Sequence, residues 1–403
     1  MASQDGVTRR PDGAPVTAPV RLRLEAVPDG TSGVPARRVW PRLLAVLAAA
    51  AVVASGLAWV ALPPAAHRDG DNPVVAARRF LDRYVTADGR VSRIDQGGDT
   101  VSEGQAYAML LAVGAGDDRR FALAWSWARD HLQRDDGLLA WRWQGGQVAD
   151  WMPAADADLD AAWALVLAAD RFRVPRYQTD AASMAAGILA AETWTVGGRP
   201  LLVAGPWART APFTVNPSYL APGALSAVGR ASGDRRWAAM TDASRAFLAT
   251  ITAGGGRLPP DWATLAGGTA GPSGPPGRTS DEPTYGLQAQ RILPLLAGSC
   301  EAVDRRLAGS LWSVMPRDPQ AQDATAAGLD GRSLTNDHHP LGLLALAAAA
   351  GAAGRRAPAS DLLARAARAE RQRPTYYGAA WLALTGLLLE RSPLHPCPAV
   401  ITP

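Results

Sequence analysis

The chain has 403 residues, 48% of them hydrophobic and 19% charged, enough to bury one large core. Its net charge is only +4, and all 41 basic residues are arginines scattered without basic runs, which argues against a nucleic-acid partner. Having no lysine, it has no Schiff-base or P-loop lysine, and its two cysteines are too few for a metal cluster or a disulfide framework.

Residues 1–42 are rich in Pro, Gly and Arg without periodicity, the composition of a disordered tail. An uninterrupted apolar run of 20 residues follows at 43–62, long enough to cross a bilayer once. Arg37, Arg38 and Arg42 precede it, which by the positive-inside rule keeps the N-terminus cytoplasmic. A cleaved signal peptide is the competing reading, but the leading segment is long for one. Pro63-Pro64 also does not resemble a small-x-small cleavage site. The expectation is a single-pass membrane anchor with an extracellular domain over residues 68–403; secretion after cleavage is the alternative. In either case Cys300 and Cys397 can pair and tie the C-terminal tail to the body.

From Asn72 onward, helix signals follow one another: 73–85, 102–114, 117–132, 155–173, 177–193, 217–232, 235–253, 285–297, 301–314, 339–352, 361–367 and 376–391. Apolar periodicity with Pro, Asp, Ser or Gly at the ends supports each. Convincing strands are absent; LLAWRW at 138–143 is the best candidate, in a cleft-side hairpin. Residues 254–280 form one long irregular segment crowded with Gly and Pro, of the kind that tends to be functional. About twelve helices, six inner and six outer, would close into an all-α (α/α)6 barrel preceded by one transmembrane helix.

Two stretches carry the chemistry. SEGQAYAM at 102–109 places Glu103 at the start of an apolar helix, with Gly104 leaving room beside the carboxylate and Tyr107 one turn on. AADADLDAAWALVLAADRF at 154–172 places Asp156 at the entrance of another, with Asp160 four residues on and Asp158 pointing elsewhere. Two acidic groups at helix mouths are what acid-catalysed cleavage of a glycosidic bond requires. Helix-terminal acids are also ordinary capping groups, so spacing alone leaves both readings open. Fourteen tryptophans against five phenylalanines suit stacking on sugar rings, and equally suit a core. Asn336, Asp337, His338 and His339 read as capping of an apolar helix, and no metal or cofactor is expected.

These motifs, in this order with NPSYLAP (216–222), LPPDWA (258–263) and PTYYGAAWLAL (374–384), resemble glycoside hydrolase family 8 over residues 74–392. Within it the chain is most similar to endo-β-1,4-glucanases associated with bacterial cellulose synthesis. The resemblance implies an (α/α)6 barrel and an inverting endo-glycosidase acting on cellulose or a related β-glucan. It implies Glu103 as proton donor and Asp156 as the aspartate contacting the sugar at the cleavage point, with Asp158 and Asp160 structural. Many members carry the general base in a Tyr-Asp-Ala-x-Arg stretch. Here that region is DEPTYGLQAQR, and Gln288 or Gly286 stands where the aspartate is expected. Another branch, which includes chitosanases, takes its base from a long loop before this helix. That points to Asp281 as candidate base, Glu282 as the alternative, and Asp261 behind both. The bland reading is that Asp281 and Glu282 merely favour a helix N-terminus.

Tyr285 and Arg291 of the same stretch are expected at the substrate, with structural roles open. Trp141, Trp143, Trp207, Tyr219 and Tyr376 are the candidates for sugar stacking. Two rivals stand beside the glucanase: a chitosanase-like hydrolase of a glucosamine polymer, and a non-catalytic exopolysaccharide binder within a polysaccharide-synthesis complex.

Overall fold

A computed structural model describes residues 72–390 apart from 197 and 280, together with 392–394 and 397. The expected tail at 1–42 and anchor at 43–62 lie outside the described residues. Among the described residues no helix is long and apolar enough to cross a membrane.

The helices are α1 (Pro73–Tyr84), α2 (Ser102–Ala115), α3 (Asp118–His131), α4 (Ala155–Phe172), α5 (Pro175–Gly187), α6 (Pro222–Ser232) and α7 (Arg235–Ile251). After them come α8 (Leu287–Gln290), α9 (Ile292–Ala297), α10 (Ala302–Leu311), α11 (Pro340–Ala352), α12 (Arg356–Gln372) and α13 (Tyr376–Leu389). Helices α2, α4, α6, α9, α11 and α13 touch one another in that order, and α13 returns to α2, so an inner ring closes. Each of α1, α3, α5, α7, α10 and α12 packs against the inner helices on either side or on one side, forming the outer layer. With α8 and α9 counted as one interrupted helix, this is the six-plus-six arrangement expected.

The sequence assigns the layers by its pattern. α11, PLGLLALAAAAGA, is apolar on every face and buried from Pro340 to Ala350, whereas α12, RAPASDLLARAARAERQ, buries only Leu362, Ala366, Ala367 and Glu370. An all-round apolar helix has to be enclosed; a one-striped helix covers it. Turns between layers use a repeated device. Gly116 and Gly233 end α2 and α6 in the left-handed conformation, at φ 71° in both cases. Asp117 and Asp234, immediately after them, cap α3 and α7 through Arg120 N and Arg236 N.

Strands are more numerous than expected. β1 (Thr100–Val101), β2 (Ala140–Gln144) and β3 (Gln147–Pro153) form an antiparallel sheet, so LLAWRW does enter a hairpin. β4 (Thr193–Val196) pairs with β5 (Arg199–Leu202). β6 (Phe213–Val215), β7 (Trp262–Ala266) and β8 (Thr269–Ser273) form a third sheet, and β9 (Tyr285–Gly286) pairs with β10 (Ala326–Ala327). The segment read as irregular, 254–280, therefore contains a hairpin; Ala263 and Leu265 are buried in alternation with Trp262, Thr264 and Ala266 ahead of a Gly267-Gly268 turn, a signal masked by the surrounding Pro and Gly. The expected helix at 285–297 starts two residues later and breaks at Arg291, and the one at 361–367 extends over Arg356–Gln372. Cys300 and Cys397 are bridged, with 5.1 Å between Cα atoms, tying the C-terminal segment to the residues before α10.

Candidate active site

Several short strands end just before polar residues at the N-termini of inner helices. β1 leads directly into Glu103 on α2, β3 ends at Pro153 just ahead of Asp156 on α4, and β6 ends at Val215 before Asn216 and Ser218. Asp261 immediately precedes β7, and β9 leads into α8 with Gln288. The N-terminal ends of these helices carry partial positive charge, which favours the carboxylates gathered there.

Arg291, at the break between α8 and α9, holds the group together. Its Nη1 donates to Glu103 Oε1, to the Tyr107 hydroxyl at 3.0 Å and to Asp156 Oδ2 at 3.2 Å. Its Nη2 donates to Ser218 Oγ at 2.8 Å. Ser218 Oγ in turn donates to Asn216 Oδ1 at 2.8 Å, and Asn216 Nδ2 donates to Gln288 Oε1. Trp381 Nε1 closes the other side on the Tyr107 hydroxyl at 3.2 Å. The Arg291 side chain is only 5% exposed, against 22% for Glu103 and 11% for Asp156. The solvent-facing edge of the cluster thus belongs to Glu103, while the arginine expected at the substrate sits beneath the carboxylates as their anchor.

Burial pushes the Glu103 carboxyl above its usual range; Arg291 opposes the shift, and the charge of Asp156 adds to it. The net direction leaves Glu103 able to hold a proton at higher pH than a free glutamate. Asp160 is raised well above the usual aspartate value by burial, with Asp156 adding to it. Asp158 lies away from the group, as its place on the helix implied. It accepts from Leu139 N at 2.8 Å and sits beside Glu192, and both carboxyls are driven up by burial. Gly104 leaves room, but for a different neighbour than the carboxylate: a Cβ there would fall 2.6 Å from the Tyr376 hydroxyl.

The candidate bases are placed differently from one another. Asp281 and Glu282 are exposed on the loop after β8, and Asp281 faces Arg278 at 3.5 Å. Among the described residues neither contacts the Arg291 cluster. Asp261 lies at the start of α8, where Oδ1 accepts from Ala289 N at 2.8 Å and Oδ2 from Thr284 Oγ1 at 3.1 Å. Its carboxyl is raised, chiefly by burial; the bonds from Ala289, Thr284 and Gly286 and the charge of Arg291 pull the other way. Gly286 sits so close that a Cβ would lie 2.2 Å from Asp261 Oδ2. The site therefore has a carboxylate beside the helix start that carries Gln288, contributed by a different segment.

The aromatic candidates divide. Trp207 is 42% exposed and Trp141 half-exposed, the latter bonded to Asp150. Tyr219 is half-buried, with Arg291 5.6 Å from its ring centre. Trp143 stacks edge-on against Trp127 and His131. Two assignments need correcting. Tyr376 is buried among Phe80 and Tyr84, and Tyr285 is buried with its hydroxyl toward Met315; neither ring is open to a sugar. The neighbour Tyr377 faces the site instead, felt electrostatically by Arg291, Glu103 and Asp156. Adjacent tyrosines on a helix point about 100° apart, and sequence alone did not say which one turns inward. Trp151, 58% exposed beside the entrance to α4, is a further aromatic near the site; the apolar WMP run at the end of a polar hairpin is its only signal in the sequence. His339 rather than Asn336 or Asp337 caps α11, its Nδ1 accepting from Leu341 N.

A family model described as Glycosyl hydrolases family 8 matches residues 33–275. A probable endoglucanase of Novacetimonas hansenii is 35% identical over 189 residues, 45% of this chain and 55% of that protein. An endoglucanase of Cellulomonas uda is 30% identical over 196 residues, 47% of this chain and 55% of that protein. The chain thus spans about half the length of the curated relatives it matches. Among solved structures, an endoglucanase from Komagataeibacter sucrofermentans superposes with a TM-score of 0.67 at 26% identity, covering 79% of this chain and 98% of that one. The family-model match stops at 275, before the helix start where Gln288 stands.

Proposed function

Since the chain belongs to the glycosyl hydrolases of family 8, we propose that it cleaves internal β-1,4 bonds of a glucan such as cellulose, with inversion at the anomeric carbon. The observation that carries this reading is the pairing of Glu103 and Asp156 on the one buried guanidinium of Arg291. An acid and a sugar-binding aspartate are fixed relative to each other at one place, with the acid on the open side. Relatives whose printed names are endoglucanase support the polymer.

In this mechanism Glu103, whose carboxyl burial raises, donates a proton to the leaving glycosidic oxygen. Asp156 binds the reacting sugar. A second carboxylate must take a proton from water on the opposite face, roughly 6.5–9.5 Å from the acid. We assign that role to Asp261 in preference to Asp281 or Glu282. Its place at the start of α8, its raised carboxyl and the reach of the Arg291 charge support it. Gln288, bound to Asn216, has no proton-accepting charge and holds the helix start instead.

The Cys300–Cys397 bridge fits an oxidising compartment, in keeping with an outward-facing domain on an anchor at 43–62. A place within a polysaccharide-synthesis complex remains part of the same proposal. The second reading, a protein that binds glucan without cutting it, is favoured by one observation, the amide of Gln288 where a carboxylate is usual. Viscosity and reducing-end assays on carboxymethylcellulose, lichenan and chitosan separate them. A rapid viscosity drop on a β-1,4-glucan supports the glucanase. Cleavage of chitosan alone supports the glucosamine polymer, and retention of glucan without new ends supports the binder.

A further inference from the structure

A second pocket opens at the end of the barrel where α11 and α13 begin and α12 ends. It encloses about 470 Å³ and is lined by Asp323, His338, His339, Gln372, Arg373 and Thr375, with Pro319, Gln320, Pro340 and Ala369 completing the wall. That volume is within the range of small-ligand sites. We propose that this pocket is a distal subsite that binds a neutral sugar unit of the same glucan chain.

Four observations carry this. First, its polar groups are left available. Gln320, Gln372 and Arg373 are exposed on the pocket wall, and among the described residues their side chains make no hydrogen bond within the protein, so amide donors, amide acceptors and a guanidinium can exchange solvent for a ligand. Second, the charges nearly cancel. The Asp323 carboxylate, 2.8 Å from His338 Nδ1, and the Arg373 guanidinium bring opposite charges to the same wall, which makes a strongly anionic ligand a poor match. Mixed donors and acceptors without net charge suit a ring of hydroxyls.

Third, His339 has a donor ready to transfer. Burial pushes its imidazole down to about 4, so it is neutral. Its Nδ1 accepts from Leu341 N at 3.2 Å, which puts the proton on Nε2, and Nε2 reaches Thr375 Oγ1 only at 3.5 Å. A bond that long is readily exchanged for a ligand hydroxyl. Fourth, the pocket lies beside the candidate active site. The His339 ring lies 5.8 Å from that of Tyr377, and Tyr377 lies against Tyr107 within the field of Arg291 and Glu103. One polymer chain can therefore reach both places.

The inference rests on the reading that the chain binds a β-1,4-glucan, and its test separates the two. In the Glu103→Gln protein, cellohexaose and cellotetraose are titrated while the ring C–H signals of His338 and His339 are followed by NMR. Hexaose should shift both signals and tetraose should not. Shifts absent with hexaose overturn the subsite whether or not the native protein cuts glucan. In the cutting protein, the ratio of kcat/KM for hexaose over tetraose should fall about tenfold in Gln372→Ala/Arg373→Ala, a loss of about 1.4 kcal/mol in binding the longer chain. An unchanged ratio, with the double variant folded by circular dichroism, would also overturn it. Loss of cutting on every polymer with the NMR shifts retained would sink the hydrolase reading and leave the subsite standing.

Discussion

Arg291 Nη1 donates to Asp156 Oδ2 at 3.2 Å while the same nitrogen holds Glu103. One side chain from α9's leading edge therefore sets the spacing between residues on α2 and α4. Because it is buried, its removal would leave two carboxylates close together with no counter-charge, at a cost of several kcal/mol. The conservative change is the informative one. Arg291→Lys keeps the charge but cannot reach Glu103, Asp156, Tyr107 and Ser218 at once, since an ammonium lacks the planar fork. We expect kcat on a soluble glucan to fall about 100-fold with KM changing far less, the signature of a misplaced acid rather than lost binding. A change confined to KM would return Arg291 to the substrate.

Asp261 and Gln288 make a paired prediction. Asp261→Asn keeps an oxygen able to accept from Ala289 N, so α8 should still start correctly. Without a base, activity should drop by about 10²–10⁴-fold. Gln288→Asp, which restores a carboxylate at the helix start, should recover activity in the Asp261→Asn background. Should Asp261→Asn remain active and Asp281→Asn not, the base belongs to the loop. Thermal melts of all variants show whether the cap survived.

The pH dependence follows from Glu103. Its carboxyl is raised, so the form able to donate persists above the pH at which a free glutamate ionises, and the alkaline limb of kcat/KM should lie above 4.5. The charge of Asp156 contributes to that shift. Asp156→Asn removes the repulsion, stabilises ionised Glu103 and should move the alkaline limb to lower pH, whatever it does to the maximum rate. A limb that moves upward would contradict the electrostatic arrangement. Full pH–rate profiles of both proteins measure it.

Glu370 offers a stability test away from the site. Burial raises its carboxyl from 4.5 to about 8, and its Oε2 has no hydrogen-bond partner. The native state holds this proton more tightly than the unfolded chain. Stability from it is complete below pH 4.5, and is lost as pH rises from there through about 8. Glu370→Gln should flatten that decline, narrowing the difference in Tm between pH 5 and pH 8 by several degrees. A native Tm that rises across this window would refute the assignment.

The barrel was largely legible because its two helix types differ in composition: α11 and α13 are apolar on all faces, α12 on one stripe. Glu103 and Asp156 stand out as candidates in the sequence because each lies in the first turn of an inner helix. What escaped was anything decided by contacts distant in sequence. Arg291 is separated from Glu103 by 188 residues, and no local pattern says that it anchors rather than binds. Tyr376 and Tyr377 differ only in the direction each leaves the helix. Asp261 read as part of a Pro-rich loop because its hydrogen bonds go to Thr284 and Ala289, more than twenty residues away. The hairpin at β7–β8 was hidden by the Gly and Pro around it.

The first anomer released is the measurement that bears most directly on the central claim. Purified protein is mixed with cellohexaose, and the anomeric proton signals are recorded before mutarotation equilibrates them. The account predicts that the α-anomer of the new reducing end appears first, and that Glu103→Gln produces neither anomer at a measurable rate. Initial release of the β-anomer, or cleavage undiminished in Glu103→Gln, would contradict an inverting site built on Glu103.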